Sequence, residues 1–383
     1  MPGFDPREPE TYWGLFRRES RLTAERRGMA IAVGDAERSA DGLRLDWRVC
    51  AEGTETRYTL LRWDDIVRDR FPRPNWRRLI EVPTLWLRLQ RSAYPRKLKR
   101  EGHRFARVII GIHIVYAALA VLSIGLAAAL VAFSPAGALP PPVRLLLVPL
   151  LAYAVLGLIM VATRGRPLYV AHLVDDTAFT HDHASGAEPR MHGRLDAFAE
   201  IIRAAEGGAS EIVLIGHSSS SFLAVEALDR ILANDPDFGR RGTPVSFVTI
   251  GSVTPWITLD PLAVKARAAL ARVAAASAIG WLDVRAKWDW LSIHRRDPLR
   301  ASGLPSPGRG RPIVIHVRLD DLIEKRIIRR RKWNLFRMHF QLLMSSREPG
   351  AFDYIAFVAG AEPVHAAIER WRQTPTGPLT RLA

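Results

Sequence analysis

The chain has 383 residues, 48% of them hydrophobic, which supports one large domain or two ordinary ones, so disorder is not the default expectation. Lys and Arg number 55 against 39 Asp and Glu, and the net charge of +16 raises anionic membrane and nucleic acid as partners. The single cysteine, Cys50, excludes an intramolecular disulfide and a thiolate metal cage, and points to a reducing compartment for the soluble mass.

Near its start the chain carries RRES and ERRG with no apolar run behind them, so a secretory or twin-arginine leader is not expected. GLRLDWRVC and TRYTLLRW read as two strands joined by a turn near Gly53. Residues 75–100, NWRRLIEVPTLWLRLQRSAYPRKLKR, then mix Trp76, Leu79, Ile80, Leu85, Trp86 and Leu89 with many cations. Two readings fit this stretch: chain lying in the headgroup zone, or an amphipathic surface helix interrupted by Pro83.

Residues 108–133 contain no Asp, Glu, Lys or Arg, and residues 145–162 are equally uncharged. A helix needs about 20 apolar residues to cross a bilayer, so the two runs and their turn-rich connector SPAGALPPPVR predict a transmembrane helical hairpin. Pro149 should kink the second helix without breaking it. His113, the one ionisable group of the first run, is expected to pack as a neutral ring against the second helix. Arg96, Lys97, Lys99, Arg100, Arg104 and Arg107 precede the hairpin and Arg164 and Arg166 follow it, whereas the connector has Arg144 alone. The positive-inside rule therefore places both long arms in the cytoplasm, an integral membrane protein with both termini inside. The bilayer then accounts for much of the basic excess, and no nucleic-acid partner is expected.

Beyond the hairpin, strand-like and helix-like runs alternate as in an α/β fold with a mostly parallel, doubly wound sheet. Strands are expected at residues 167–174 (PLYVAHLV), 211–216 (EIVLIG), 245–251 (VSFVTIG), 281–287 (WLDVRAK) and 312–319 (PIVIHVRL), with helices at 194–205, 221–233 and 261–279 between them. The chain divides accordingly into an N-terminal arm (1–105), the hairpin (106–163) and a core (164–383).

The junction EIVLIGHSSSSFLAVEAL passes from a strand through Gly216, His217 and Ser218 directly into an amphipathic helix. That order is the requirement of a nucleophile elbow, whose sharp turn lifts a serine hydroxyl above the sheet and aims a helix N-terminus at it. A serine-rich helix cap would use the same residues. Neither GxGxxG nor GxxxxGK[ST] is present at this junction, so phosphate binding there is not supported.

On these residues the chain resembles the α/β-hydrolase superfamily, particularly its lipase and esterase branches, with Gly216, Ser218 and Ser220 at the GxSxG positions and Ser220 replacing the last glycine. The resemblance covers roughly residues 167–361. It implies an acid just after a later strand and a histidine after the last one. Asp289 in WLDVRAKWDWLSIHRRDPL takes the first place, with Asp297 as second choice and Asp283 inside the strand. His339 in KWNLFRMHFQLLM takes the second, His316 lying within its strand and His294 and His365 reading as surface histidines. The resemblance further implies an oxyanion hole from the backbone N–H groups of Ser219 and of the loop near Asp176, and an opening strand pair at the edge of the sheet. With such an edge pair, the hairpin becomes an insertion within one domain.

His172, Asp175, Asp176, His181, Asp182, His183 and His192 crowd one segment, but no known ligand spacing is matched. A polar loop near the active-site mouth is the expectation, and neither metal nor cofactor is expected. IEKRIIRRRKWNLFRMHF, residues 323–340, could hold that mouth against anionic headgroups. Together these readings predict a membrane-anchored serine hydrolase acting on an ester or thioester, plausibly a lipid, through Ser218, Asp289 and His339. The alternatives are a non-catalytic scaffold of the same fold and a serine acyltransferase.

Overall fold

The computed structural model describes residues 1–163, 169–305 and 311–373. The N-terminal arm opens with α1 (Glu10–Arg27), closed by Gly28 in the left-handed conformation that favours glycine after a helix. Four short strands follow: β1 (Ile31–Val33), β2 (Glu37–Arg38), β3 (Arg44–Ala51) and β4 (Thr54–Leu61). β3 pairs antiparallel with each of the other three. Glu52 and Gly53 join β3 to β4 with φ of 50° and 80°, the twin left-handed residues of a tight hairpin turn.

This hairpin does not extend the main sheet at its edge. Alternation buries Leu45, Trp47, Val49 and Ala51 on one face of β3, and that face packs with Val248, Ile250, Leu282 and Val284 of the parallel sheet. Broad apolar contact between faces buries more surface than one added row of edge hydrogen bonds, so the small sheet lies over the large one.

α2 (Asp64–Arg70), α3 (Asn75–Gln90) and α4 (Tyr94–Glu101) lead into α5 (His103–Ala132), which a short turn connects to α6 (Pro141–Thr163). Residues 75–90 are thus helical with Pro83 inside, and Pro149 likewise sits within an unbroken α6. α5 and α6 are long and apolar enough to cross a membrane. Their side chains are largely exposed: Phe133 is 93% exposed and Leu145 76% exposed. Only the foot of α5 enters the core, where Phe105, Ala106 and Ile109 are buried. Just above it, Ile112 and Tyr116 share a cluster with Leu156 and Met160 of α6. His113 is buried, and its ring lies T-shaped to that of Trp86 on α3, with centroids 6.1 Å apart.

The strand expected at residues 167–174 is absent among the described residues. Tyr169 enters α7 (Val170–Ser185), while residues 167 and 168 lie outside the described ones, as do Arg164 and Arg166. Val170, Leu173, Val174, Thr177, Ala178 and His181 recur at helical spacing and form the buried stripe that decides the conformation.

Beyond α7 the order is α8 (Pro189–Arg203), β5 (Ile212–His217), α9 (Ser220–Asn234), β6 (Val245–Ile250), α10 (Thr254–Thr258), α11 (Val264–Ala275), β7 (Ile279–Arg285), α12 (Pro298–Ala301) and β8 (Ile313–His316). β5 to β8 form a parallel sheet in that order. Period-two alternation splits its side chains: Val245 and Phe247 join α8, α9 and α11 in one core, whereas Val248 and Ile250 join α1, β3 and β4 in another. Short helices complete the chain: α13 (Leu319–Leu322), α14 (Lys325–Arg331), α15 (Leu335–His339), α16 (Tyr354–Ala359) and α17 (Val364–Gln373). The last two pack on the second face, so helices cover both sides of the sheet. The molecule is an α/β protein with a four-stranded parallel sheet and two apolar helices standing out from it.

Candidate active site

Ser218 follows β5 with φ of 57°, one of three non-glycine residues with positive φ among the described residues. L-residues avoid this region by roughly 1–2 kcal/mol, so the turn persists only because its surroundings impose it. They do: the Ser218 N–H donates to the Ile250 carbonyl at 3.2 Å, and α9 begins two residues later. A Cβ on Gly216 would lie 2.5 Å from the Ser220 carbonyl oxygen, which is why glycine stands there. Ser220 is fully buried with its hydroxyl donating to the Pro2 carbonyl. Trp63 donates to the same oxygen through Nε1 at 2.8 Å.

The chain brings Asp289 and His339 together beside this turn. His339 Nδ1 donates to Asp289 Oδ2 at 2.7 Å, and Asp289 Oδ1 accepts the Leu291 N–H at 3.0 Å. Both side chains are buried, and the carboxylate follows β7 while the imidazole ends α15, after β8. His339 Nε2 is buried without a hydrogen-bond partner. With Nδ1 carrying the proton, Nε2 is the free base. Gly251, φ 56°, seats the pair: a Cβ there would come within 2.8 Å of His339 Cε1 and 3.2 Å of Asp289 Oδ2. His217 covers the other side, its ring 4.5 Å from that of His339. Burial holds the His217 imidazole well below the ordinary histidine range, so a neutral ring faces the pair.

The other candidates sit elsewhere. Asp297 caps α12 by accepting the Arg300 N–H at 2.9 Å. Asp283 accepts from Thr249 at 2.6 Å and from Arg285 inside the sheet. His316 ends β8 with its side exposed, and His365 lies on α17.

Ser218, His217 and His339 line a cavity of about 780 Å³. His339 Nε2 and the Ser218 hydroxyl are not hydrogen-bonded to each other. Asp176 also lines this cavity, but it lies in the middle of α7, where its N–H serves the helix. The expectation that a loop at Asp176 supplies an oxyanion donor is therefore corrected. Residues 1–4 occupy that side instead: the Met1 carbonyl accepts the His217 N–H at 3.4 Å, and a Cβ on Gly3 would fall 2.9 Å from Ser218 Cβ. Nothing in the sequence links positions 3 and 218, so this neighbour was invisible before folding. Ser219 precedes α9, and its hydroxyl lies 3.3 Å from both Asp176 carboxylate oxygens. Burial pushes the Asp176 carboxyl well above the usual carboxylate range, against the Ser219 hydrogen bond and with a further rise from Asp175.

The polar residues of 172–192 are struts of a helix and its neighbours rather than a loop. Asp175 receives Arg78 at 2.6 Å, Asp182 receives Arg70 and Arg73 at 3.1 Å, His183 meets Glu226 at 3.1 Å, and His181 pairs with Asp260. Among the described residues, no three His, Cys, Asp or Glu side chains converge as a metal site.

No family model, no curated protein and no solved structure matches the chain. Function therefore rests on the chemistry of the site.

Proposed function

We propose that this protein is a membrane-anchored serine hydrolase with an α/β-hydrolase-like core, its termini and catalytic body in the cytoplasm, cleaving an ester or thioester. The observation that carries the reading is the pairing of a left-handed Ser218 at a strand-to-helix turn with a buried His339–Asp289 dyad whose imidazole lines the same cavity. The order of serine after β5, acid after β7 and histidine after β8 supports the α/β-hydrolase assignment.

In this mechanism the Ser218 oxygen attacks the acyl carbon while its proton passes to His339 Nε2. Asp289 holds the imidazole in the required tautomer and stabilises its cationic form. The Ser219 N–H, just before α9, is the expected donor for the tetrahedral oxyanion, with Gly3 packed beside Ser218 on the side where a second donor is needed. Collapse breaks the acyl–oxygen or acyl–sulfur bond, and His339 returns the proton to the leaving group. Water then gives its proton to His339 as its oxygen joins the acyl carbon, and Ser218 leaves with that proton, releasing the carboxylic acid.

Purified full-length protein should hydrolyse p-nitrophenyl butyrate, and Ser218→Ala should lower kcat by about 10³-fold or more. A folded wild type with no hydrolysis above the Ser218→Ala background would favour the non-catalytic scaffold.

A further inference from the structure

The candidate cavity is lined by two kinds of surface. One wall is apolar and continuous with the foot of the hairpin: Phe105 and Ile109 of α5, Leu173 of α7, and Trp256 of α10, whose ring meets Phe105 edge-on at 5.1 Å. The rim toward α1 carries Arg18 and Arg337, both exposed and both lining the cavity. Arg331, the last residue of α14, has its charge disfavoured by partial burial and then by the charges of Arg337, Arg330 and Arg18.

These cations are poorly compensated. Arg18 pairs with Glu19 at 2.8 Å, but among the described residues Arg330, Arg331 and Arg337 meet no carboxylate. Like charges gathered without counterions cost stability unless an anion joins them. A solvated basic helix would account for α14 alone, whose side chains are all outside the core, but it gives no reason for Arg337 and Arg18 to line the cavity.

The same segment is tied to the bilayer end of the molecule. Leu335 and Phe336 pack against the cluster that holds Ile112 and Tyr116 of α5 with Leu156 and Met160 of α6, and Phe336 meets Tyr169 at 4.6 Å. Trp333, 73% exposed, precedes them with Lys332 over its ring. An aromatic with a cation at the foot of an apolar hairpin suits the headgroup layer. Cationic rim and apolar wall thus meet where an amphiphile leaving the membrane presents its head and its chain together.

Building on the hydrolase reading, we propose that the substrate is an anionic membrane amphiphile with a phosphate monoester headgroup, its chain laid along Phe105, Ile109, Leu173 and Trp256 and its phosphate held by Arg18 and Arg337. Arginine suits this task because its planar fork matches phosphate oxygens.

Full-length protein in neutral detergent would be given oleoyl-glycerophosphate and oleoyl-glycerophosphocholine, esters with the same acyl chain whose heads differ by the choline that caps the phosphate, and so in net charge and in bulk. The phosphate ester should be preferred about tenfold or more in kcat/KM, the effect of one charge-assisted hydrogen bond. Arg18→Gln with Arg337→Gln should collapse that preference through KM, and Arg→Lys at both positions should retain part of it, the charge being kept and the planar fork lost. Equal kcat/KM for the two esters in wild type overturns the proposal, as does a preference that the Gln pair leaves intact. Titration of Ser218→Ala with intact oleoyl-glycerophosphate tests the site apart from the chemistry. Binding that the Gln pair weakens upholds it even if p-nitrophenyl butyrate is never cleaved, and binding indifferent to the Gln pair refutes it even if that ester is cleaved.

Discussion

Ser218 concentrates the local strain of the site, and its neighbours show how that strain is retained. A left-handed serine is worth keeping only where the turn serves a purpose, and here it is closed by the Ile250 carbonyl on one side and by α9 on the other. The serine and its glycine were legible because strand, small residues and helix follow one another within one short stretch. Asp289 and His339 were legible only through the resemblance, since no local pattern distinguishes them from Asp297 or His316. Gly3 and the stacking of His217 on His339 were not legible at all, being contacts across long sequence separations.

Also at the residue scale, His172 faces the cavity yet is enclosed by the rings of Phe4, Phe71 and Phe336 at 5.5, 5.1 and 4.8 Å. That enclosure lowers its pKa to about 4, overcoming the nearby Asp5 and the Phe4 carbonyl, which favour the charged form. The unfolded chain takes up this proton near pH 6.5 while the folded chain resists it, so acidification from 6.5 to 4 removes stability and does so through this window. The loss is on the order of 1–3 kcal/mol, the lower figure reflecting the part of the ring open to cavity water. Urea unfolding midpoints should fall over this range, and His172→Gln should flatten the slope. An unchanged slope would mean that the ring is already solvated in the folded state.

At the scale of elements, the strands of the parallel sheet and the helices between them follow from period and length, and β5 to β8 lie close to the expected positions. The error at α7 has a physical cause. PLYVAHLV is a short apolar run, and such runs suit a buried strand or a buried helix equally until the following residues are weighed. Val170, Leu173, Val174 and Ala178 continue at three- and four-residue intervals, so tertiary burial favoured the helix and turned the histidines and aspartates behind them into ion-pair struts. The turn after β6 makes the sharpest element-scale prediction. Gly251→Ala places a methyl against His339 and Asp289 and imposes a left-handed alanine, so activity should fall by at least about tenfold with a stability loss of about 1–3 kcal/mol. Thermal unfolding measured beside p-nitrophenyl butyrate hydrolysis checks both; a neutral substitution would show that the turn does not hold the pair.

At the scale of the molecule, the hairpin does not separate two independent cores. Phe4 and Trp63, from before it, share a cluster with Phe198, Phe222 and Phe247 from after it, and α1 and β3 share another with β6, β7 and α17. The N-terminal arm completes the body that carries the serine, through the Pro2 carbonyl as well as through packing. Sequence periodicity could place each strand but not say which face would meet which, because that depends on how whole apolar surfaces are matched. Separation of the chain into an arm, a hairpin and a core is therefore a division along the sequence, with the packing running across it.

The central claim is that Ser218 is a nucleophile made reactive by His339 and Asp289. Full-length protein treated with a fluorophosphonate and mapped by peptide mass spectrometry tests this most directly. A single phosphonyl adduct on the peptide containing Ser218, absent when the treated protein is His339→Gln, is the result expected. An unmodified Ser218 in folded wild-type protein, or modification that persists equally without the histidine, would contradict it.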